Sequence, residues 1–189
     1  PKNLGVNPWV SISNFKDQPK WKISAHGIKA SPVVYDNKVV LIDFGGNLKV
    51  INKEDGSLIW KKHIHDSTWN NNYVYLSPAV SDGKVFAGIG HTMFAFDIDS
   101  GDKIWENNFA DSGTLSAFVD SAGITVDGDF VYVPVWSVDN GMVAFDADTG
   151  EKLFSTEGIS VDTPAADLEN KLVVNRHTSE MSGYSYQSG

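Results

Sequence analysis

The sequence of 189 residues contains no cysteine. This absence excludes a disulfide framework, a metal site built from thiolates and a cysteine nucleophile. No apolar run approaches the roughly 18 residues that a membrane-spanning helix needs. No Walker loop, dinucleotide-binding glycine motif or serine triad is recognisable. Basic residues are also few, since 15 Lys and Arg stand against 24 Asp and Glu and leave a net charge of −9. Nucleic-acid binding, which needs a basic surface to displace phosphate counterions, is therefore excluded.

Apolar, aromatic and glycine residues are well represented. Hydrophobic residues make up 41% of the sequence and aromatic residues 12%, and there are 17 glycines. That is enough apolar material for a folded core, and at about 150 residues per domain one domain is expected. Many aromatics and glycines without long helical patterns indicate an all-β protein with many turns.

A segment centred on a turn glycine occurs three times. Its copies span residues 50–60, 95–105 and 144–154, with the glycine at Gly56, Gly101 and Gly150. Each copy has Asp or Asn four residues before the glycine, and an aromatic residue four after it: Trp60, Trp105 or Phe154. Such self-similarity at an interval of 45 and 49 residues is the signature of a repeat architecture.

A second motif precedes the first in each unit. It spans residues 31–40 and 77–86, with looser copies at 122–131 and 163–172. Together the motifs predict four short strands per unit, in the first unit at 32–35, 39–44, 48–52 and 57–62, joined by tight turns. A four-stranded antiparallel unit of this length is typical of a β-propeller blade. The blade units are expected at residues 31–63, 77–109, 122–156 and 163–189, with a further outer strand at 19–24.

The glycine-centred segments resemble the pyrroloquinoline-quinone-type repeat family. Its pattern, Ala-x-Asp-x-x-[Ser/Thr]-Gly-x-x-x-Trp, is nearly complete at 95–105, ends in Phe at 144–154 and is degenerate at 50–60. The resemblance covers about residues 19–189. It implies a propeller of seven or eight blades and a periplasmic or extracellular location. The family includes quinoprotein alcohol dehydrogenases, tetrathionate hydrolases and a non-catalytic outer-membrane assembly scaffold.

The two ends of the sequence look like parts of an incomplete ring. Gly189 falls at the turn that precedes an outer strand, and Lys20-Trp21 looks like an outer strand without its blade. In one interpretation, Lys20 to Ile23 pairs with the strand containing Tyr184 and closes a four-bladed ring. In the favoured interpretation, three full blades and a partial one belong to a larger ring. The partners are then the remaining blades or another protein chain.

Candidate site residues lie in the connections that face one mouth of the channel. The linkers at 63–73 and 111–120 are long for a blade-to-blade connection, and long polar loops are where sites tend to be built. The candidates for acid–base chemistry are His65, Asp66, Asp120, Asp139 and His177. The candidates for binding a substrate or cofactor are Trp69, Asn72, Trp136 and Arg176.

The resemblance to quinoproteins implies one specific ligand set. Those dehydrogenases use a Trp floor, a calcium ion held by acidic and amide residues, and an Asp base. Trp136, Asp139, Asn140 and Arg176 are the matching candidates for pyrroloquinoline quinone with calcium. The vicinal-cysteine disulfide of those enzymes has no counterpart here.

Two other cation motifs have simpler explanations. His63 and His65 are spaced as two ligands on one strand face, with Asp66 or His91 to complete a set, but a strand-end pair of surface histidines is the favoured interpretation. The run Asp97 to Asp102 has its glycine one place too early for an EF-hand, so a strand-to-strand turn is expected. No metal site is assigned.

Two functions remain open. The first is an extracytoplasmic enzyme, an oxidoreductase or hydrolase that meets a small-molecule substrate on the face bearing the long loops. The second is a binding scaffold for other proteins in envelope assembly. The sequence favours the enzyme slightly. A convergent polar cluster at the channel mouth distinguishes the two, because only the enzyme needs one.

Overall fold

The computed structural model describes residues 18–28, 30–64, 76–109, 117–118, 122–136, 141–160, 162–167, 169–177 and 179–185. None of these residues lies in a helix, so none of them forms a helix long and apolar enough to span a membrane. The strands form four antiparallel sheets, called blades 1 to 4 in chain order. This is the predicted all-β propeller architecture, with three full blades and a partial one.

Blades 1 to 3 follow the predicted order of four strands, lettered A to D, and blade 4 has strands A to C among the described residues. Blade 1 contains β1 (Val33–Tyr35), β2 (Lys38–Ile42), β3 (Asn47–Asn52) and β4 (Leu58–His63). Blade 2 contains β5 (Ala79–Ser81), β6 (Lys84–Ile89), β7 (Thr92–Asp97) and β8 (Lys103–Asn108). Blade 3 contains β10 (Thr125–Asp127), β11 (Phe130–Trp136), β12 (Met142–Asp146) and β13 (Lys152–Thr156). Blade 4 contains β14 (Ala165–Asp167), β15 (Leu172–Arg176) and β16 (Met181–Ser185).

One short strand lies outside this plan. β9 (Ala117–Phe118), from the linker between blades 2 and 3, pairs with the end of β11. The backbone N–H of Val135 donates to Gly141 on the β12 side, at 2.9 Å. β9 therefore occupies the opposite edge of β11, in line with strand A, and lengthens the inner edge of blade 3.

The core lies in the seams between neighbouring blades. One buried cluster joins blade 1, through Val40, Ile42 and Trp60, to blade 2, through Val85 and Phe96. Another joins blade 2 to blade 3, and a third, smaller one joins blade 3 to blade 4. Because strand side chains alternate between faces, blades 2 and 3 each bury one face against the preceding blade and the other against the following blade.

The repeated tryptophans join the first two seams at their outer ends. Trp60 Nε1 donates to the carbonyl of Ile98 at 2.8 Å, and Trp105 Nε1 donates to that of Ala147 at 3.0 Å. Each acceptor lies three residues before the turn glycine of the next blade. At Gly150, whose φ is +73°, a Cβ would also lie 2.5 Å from the Trp105 ring. The glycine of the motif is thus needed both for the turn and for the ring that rests on it.

Trp21 occupies the same kind of socket on blade 1. Its Nε1 donates to the carbonyl of Lys53 at 2.7 Å, and its ring lies over Gly56. Residues 21–25, however, form no strand, and among the described residues β16 pairs only with β15. The structure therefore differs from the expected outer strand at 19–24 and from closure through Lys20 to Ile23. Trp21 keeps its position through side-chain contacts instead of strand pairing.

Hydrogen bonds link the blades at their inner strands. The backbone N–H of Ser31 donates to Ser77 Oγ at 2.9 Å, and that of Gly123 donates to Thr163 Oγ1 at 2.7 Å. Ser77 and Gly123 also form a parallel bridge. Ser31, Ser77 and Thr163 are the first residues of the second repeated motif in their blades. The bonds accepted by Ser77 and Thr163 explain why Ser or Thr recurs before strand A.

We expect Ser77→Ala to destabilise the protein by about 1 kcal/mol, because the amide of Ser31 loses its acceptor. Urea unfolding followed by tryptophan fluorescence measures this change. Ser155→Ala, at an exposed position of β13, is the matched control and should change the free energy of unfolding by less than about 0.5 kcal/mol. Equal effects of the two substitutions would show that the Ser77 hydroxyl does not link blades 1 and 2.

Candidate functional site

The second strand of every blade ends on one face, here called the loop face. The last residue of strand A pairs with the first residue of strand B in all four blades. Four residues each lie five places after the first residue of strand B and are therefore equivalent: Asp43, Ile89, Val135 and His177. The next positions in blades 1 and 3 are Phe44 and Trp136. The B–C turns and the linkers between blades share this face.

Asp43 carries a buried charge at this position of blade 1. Its side chain is fully buried. Oδ1 accepts bonds from the amide of Asn47 at 3.1 Å and its side-chain nitrogen at 2.7 Å. Oδ2 accepts a bond from Lys49 Nζ at 2.9 Å. Burial raises the pKa of Asp43, but the hydrogen bonds from Lys49 and Asn47 outweigh burial and hold it well below its usual range.

The N-terminal segment rests on this cluster. The amide of Phe44 donates to the carbonyl of Gly27 at 3.0 Å, and Lys49 Nζ donates to that of Ser24 at 3.3 Å. Trp21 and Ile23 pack against the adjacent buried residues of blade 1. The segment therefore covers the face of blade 1 that, in the other blades, meets a preceding blade.

Among the described residues, two aromatic side chains are clearly exposed on the loop face. Trp136 is 54% exposed and Phe44 is 40% exposed. The backbone of Trp136 is held by pairing with Ala117 of β9, and that of Phe44 by its bond to Gly27. Large aromatic side chains on a fixed backbone are the usual anchors of protein interfaces.

Arg176 and His177 are adjacent in sequence but lie in different surroundings. Arg176 Nη1 forms an exposed ion pair with Asp162 Oδ2 at 3.2 Å. His177 is buried, and its Nε2 lies 3.4 Å from Tyr184 Oη. Because Val173 on the same side of β15 packs against blade 3, His177 belongs to the seam between blades 3 and 4. The structure does not bring the two side chains together.

Most of the other candidate residues lie outside the described residues: His65, Asp66, Trp69, Asn72, Asp120, Asp139 and Asn140. Of the histidine pair, His63 is exposed at the end of β4. The run from Asp97 forms a turn, in which Asp97 Oδ1 accepts from the amides of Asp99 and Ser100 at 2.9 and 2.7 Å. These amide bonds lower the pKa of Asp97.

Two of the four candidates for a quinone with calcium, Asp139 and Asn140, lie outside the described residues, so this ligand set stays a prediction. Trp136 offers a flat exposed surface, but the Arg176 guanidinium is engaged by Asp162. No group of three His, Asp or Glu side chains suited to a metal ion occurs in the described part of the chain. We therefore derive no chemical step through this cofactor.

Sequence reasoning missed the Asp43 cluster, because Asp43 falls at the end of the strand predicted at 39–44 and was not among the candidate site residues. A signal was nevertheless present in the sequence: Asp43 is acidic, whereas the equivalent residues of blades 2 and 3, Ile89 and Val135, are apolar. A basic residue, Lys49, lies on the neighbouring strand.

Known proteins share both the sequence pattern and the fold. The family profile described as "Outer membrane protein assembly factor BamB" matches residues 9–189. A curated protein of that name from Francisella salina is 26% identical over 106 residues, which cover 54% of this chain and 18% of that protein.

Solved structures give the same fold at low identity. The crystal structure of BamB from Moraxella catarrhalis matches with a TM-score of 0.69 and 19% identity, over 88% of this chain and 51% of the other. A quinohemoprotein alcohol dehydrogenase from Pseudomonas putida HK5 matches with a TM-score of 0.68 and 20% identity, over 82% of this chain and 29% of the other. The chain spans about half the length of the solved BamB and less than a fifth of the curated relative. With a profile match over nearly its whole length, this chain belongs to the BamB family of propellers built from pyrroloquinoline-quinone-type repeats.

Proposed function

We propose that this chain is part of a periplasmic scaffold that binds other proteins through its loop face during outer-membrane protein assembly. The observation that carries the proposal is the pair of exposed aromatic residues on that face, Phe44 in the turn after β2 and Trp136 at the equivalent position at the end of β11. The family to which the chain belongs supports the same function.

The scaffold interpretation reverses the slight preference of the sequence for an enzyme. An enzyme needs polar groups that converge on one cavity. On the described part of the loop face, two pairs of polar groups are engaged with one another: Asp43 with Lys49, and Arg176 with Asp162. The same face also exposes the aromatic side chains of Phe44 and Trp136, and such surface suits a protein partner. The other expected partners, further blades of a ring, are compatible with this function.

Site-specific photo-cross-linking in the native bacterium tests the proposal. A photoreactive phenylalanine analogue at position 136 or 44 should give an adduct with a protein of the outer-membrane assembly pathway. The matched control is position 58, because Leu58 is 57% exposed but lies on the outer strand β4. Adducts at 58 but not at 136 or 44 would overturn the proposal.

We also expect Trp136→Ala to weaken partner binding by about 2 kcal/mol, roughly 30-fold, as for a central aromatic anchor. The amount of folded outer-membrane protein in isolated membranes should fall, while Leu58→Ala leaves it unchanged. Because the Trp136 side chain is more than half exposed, the substitution should not unfold the protein, and circular dichroism checks this. An unchanged amount of folded outer-membrane protein in Trp136→Ala would contradict the expected role.

A further inference from the structure

The seam between blades 3 and 4 is less apolar than the other two seams. Among the described residues, blade 4 contributes one fully buried apolar residue to this seam, Val173, together with the partly buried Ala166 and Tyr184. Blades 2 and 3 contribute longer rows of buried apolar residues to the seams that precede them. The burial of apolar surface, which holds neighbouring blades together, is therefore smallest between blades 3 and 4.

Polar side chains replace apolar ones in the part of this seam that lies towards the loop face. Because strand side chains alternate, Asn175 and His177 lie on the same face of β15 as Val173. Ser182 pairs with Asn175 and lies on that face of β16. The three polar residues are equivalent to Ala87, Ile89 and Phe94 of blade 2 and to Val133, Val135 and Val143 of blade 3.

Asn175 leaves one buried hydrogen-bond donor unsatisfied in this seam. Its side chain is fully buried, and its Oδ1 accepts a bond from Ser160 Oγ at 2.7 Å. Its Nδ2 has no hydrogen-bond partner among the described residues. A buried amide donor without a partner costs free energy while the seam is closed, and it is hydrated when the seam opens. Asn175 therefore favours opening.

The outer end of the seam also lacks the hydrogen bond that joins the other blades. Trp60 and Trp105 each donate from Nε1 to a carbonyl of the following blade. Phe154 is the equivalent residue of blade 3, and its ring carries no donor. The same bond therefore cannot form between blades 3 and 4.

We propose that blade 4 separates from blade 3 as a unit and that their seam is a gate at the loop face. Trp136 directly follows Val135, which packs against blade 2, so alternation places Trp136 on the side of β11 towards blade 4. Opening exposes Asn175 and Ser160 on this side, and a partner that prefers one state of the gate shifts the equilibrium towards it. As a regulator of partner binding the gate rests on the proposed function, but the opening itself does not.

Labelling of single cysteines measures the opening, because the chain has no cysteine of its own. Val85, Val131 and Val173 are equivalent second residues of strand B, all 0% exposed, with one in each seam. Each is replaced by cysteine in the full chain and treated with a maleimide under native conditions. We expect Val173→Cys to react at least about 10-fold faster than the other two, because its seam opens more often.

Asn175→Val introduces the residue that blade 3 has at the equivalent position. It should slow the labelling of Val173→Cys about 10-fold, because the closed seam no longer buries an unpaired donor. Ser185→Val is the matched control, since Ser185 is an exposed residue of the same blade on the face of β16 away from blade 3. It should leave the labelling rate of Val173→Cys unchanged, and neither substitution should alter the labelling of Val131→Cys.

Three results would overturn the proposal. The first is equal labelling of the three cysteines. The second is unchanged labelling of Val173→Cys in a folded Asn175→Val variant. The third is deuterium exchange of the β15 amides as fast as this labelling, because blade 4 would then unfold instead of separating as a unit. If Asn175→Val does not fold, the three cysteines and the amide exchange decide. Cross-linking at positions 136 and 44 is a separate measurement, so the proposed function and the gate can fail independently.

Discussion

Trp105→Ala is expected to destabilise the protein by about 3–5 kcal/mol. The Trp105 side chain lies between Phe86, at a ring distance of 6.0 Å, and Phe145, at 6.4 Å. It also donates the hydrogen bond to Ala147 that joins blade 2 to blade 3. Alanine would leave a large void in the seam and remove this bond. Urea unfolding followed by far-ultraviolet circular dichroism measures the loss.

Two further variants separate packing from the hydrogen bond. Trp105→Phe keeps a ring in the socket and should cost markedly less than the alanine variant. Ile104→Ala changes the preceding residue, which is 43% exposed, and should cost about 0.5 kcal/mol or less. If Trp105→Ala and Ile104→Ala were equally stable, the socket would not hold the seam together.

Asp43→Asn is expected to destabilise the protein by about 3–5 kcal/mol, the cost of removing one partner of a buried ion pair. The amide can still occupy the turn, but Lys49, whose side chain is only 12% exposed, would lose its counter-charge. Thermal unfolding at neutral pH measures the loss. Lys38→Met, which removes a partner of the mostly exposed Asp99, should cost about 1 kcal/mol or less.

The same cluster gives a dependence of stability on pH. The pKa of Asp43 is lower in the folded protein than in the unfolded chain. Its contribution is therefore complete above the unfolded value of about 3.9 and is lost as the pH falls towards the folded value. The difference in unfolding free energy between wild type and Asp43→Asn should shrink as the pH falls below about 4. A constant difference down to pH 3 or so would contradict the assignment of the stabilisation to the ionised carboxylate.

The repeated motifs were sufficient to predict the blades. The turn glycines, the Ser-Pro starts and the residues at Trp60 and Trp105 recur at intervals of 45 to 49 residues, and a short antiparallel unit is determined by local turns and alternation. This is why β1 and β3 lie within one residue or so of their predicted bounds. The candidate site was less accessible to prediction, because its residues belong to linkers in which no repeat constrains the backbone.

One local feature escaped the sequence although it also repeats. In each full blade the outer strand carries a register shift just before its aromatic residue, opposite Val50, Ala95 or Ala144. The extra residues are Ile59, Ile104 and Leu153, which are all partly exposed. A bulge twists the outer edge and discourages pairing with another chain. Because the residues at these positions are apolar, they look like ordinary strand residues in the sequence. The register shift can therefore be recognised only from the strand pairing.

By itself the sequence determined the fold class, the number of repeated units and the residues that join one blade to the next, because each of these depends on spacing within some 50 residues or fewer. Only the tertiary structure decided which contacts form between neighbouring blades and segments. It placed Trp21 in a socket without a strand, buried Asp43 beside Lys49, separated Arg176 from His177 and buried Asn175 in a seam between blades. These features arise where side chains from different strands, linkers or blades meet, and the energies of burial and charge pairing depend on that meeting and not on local pattern.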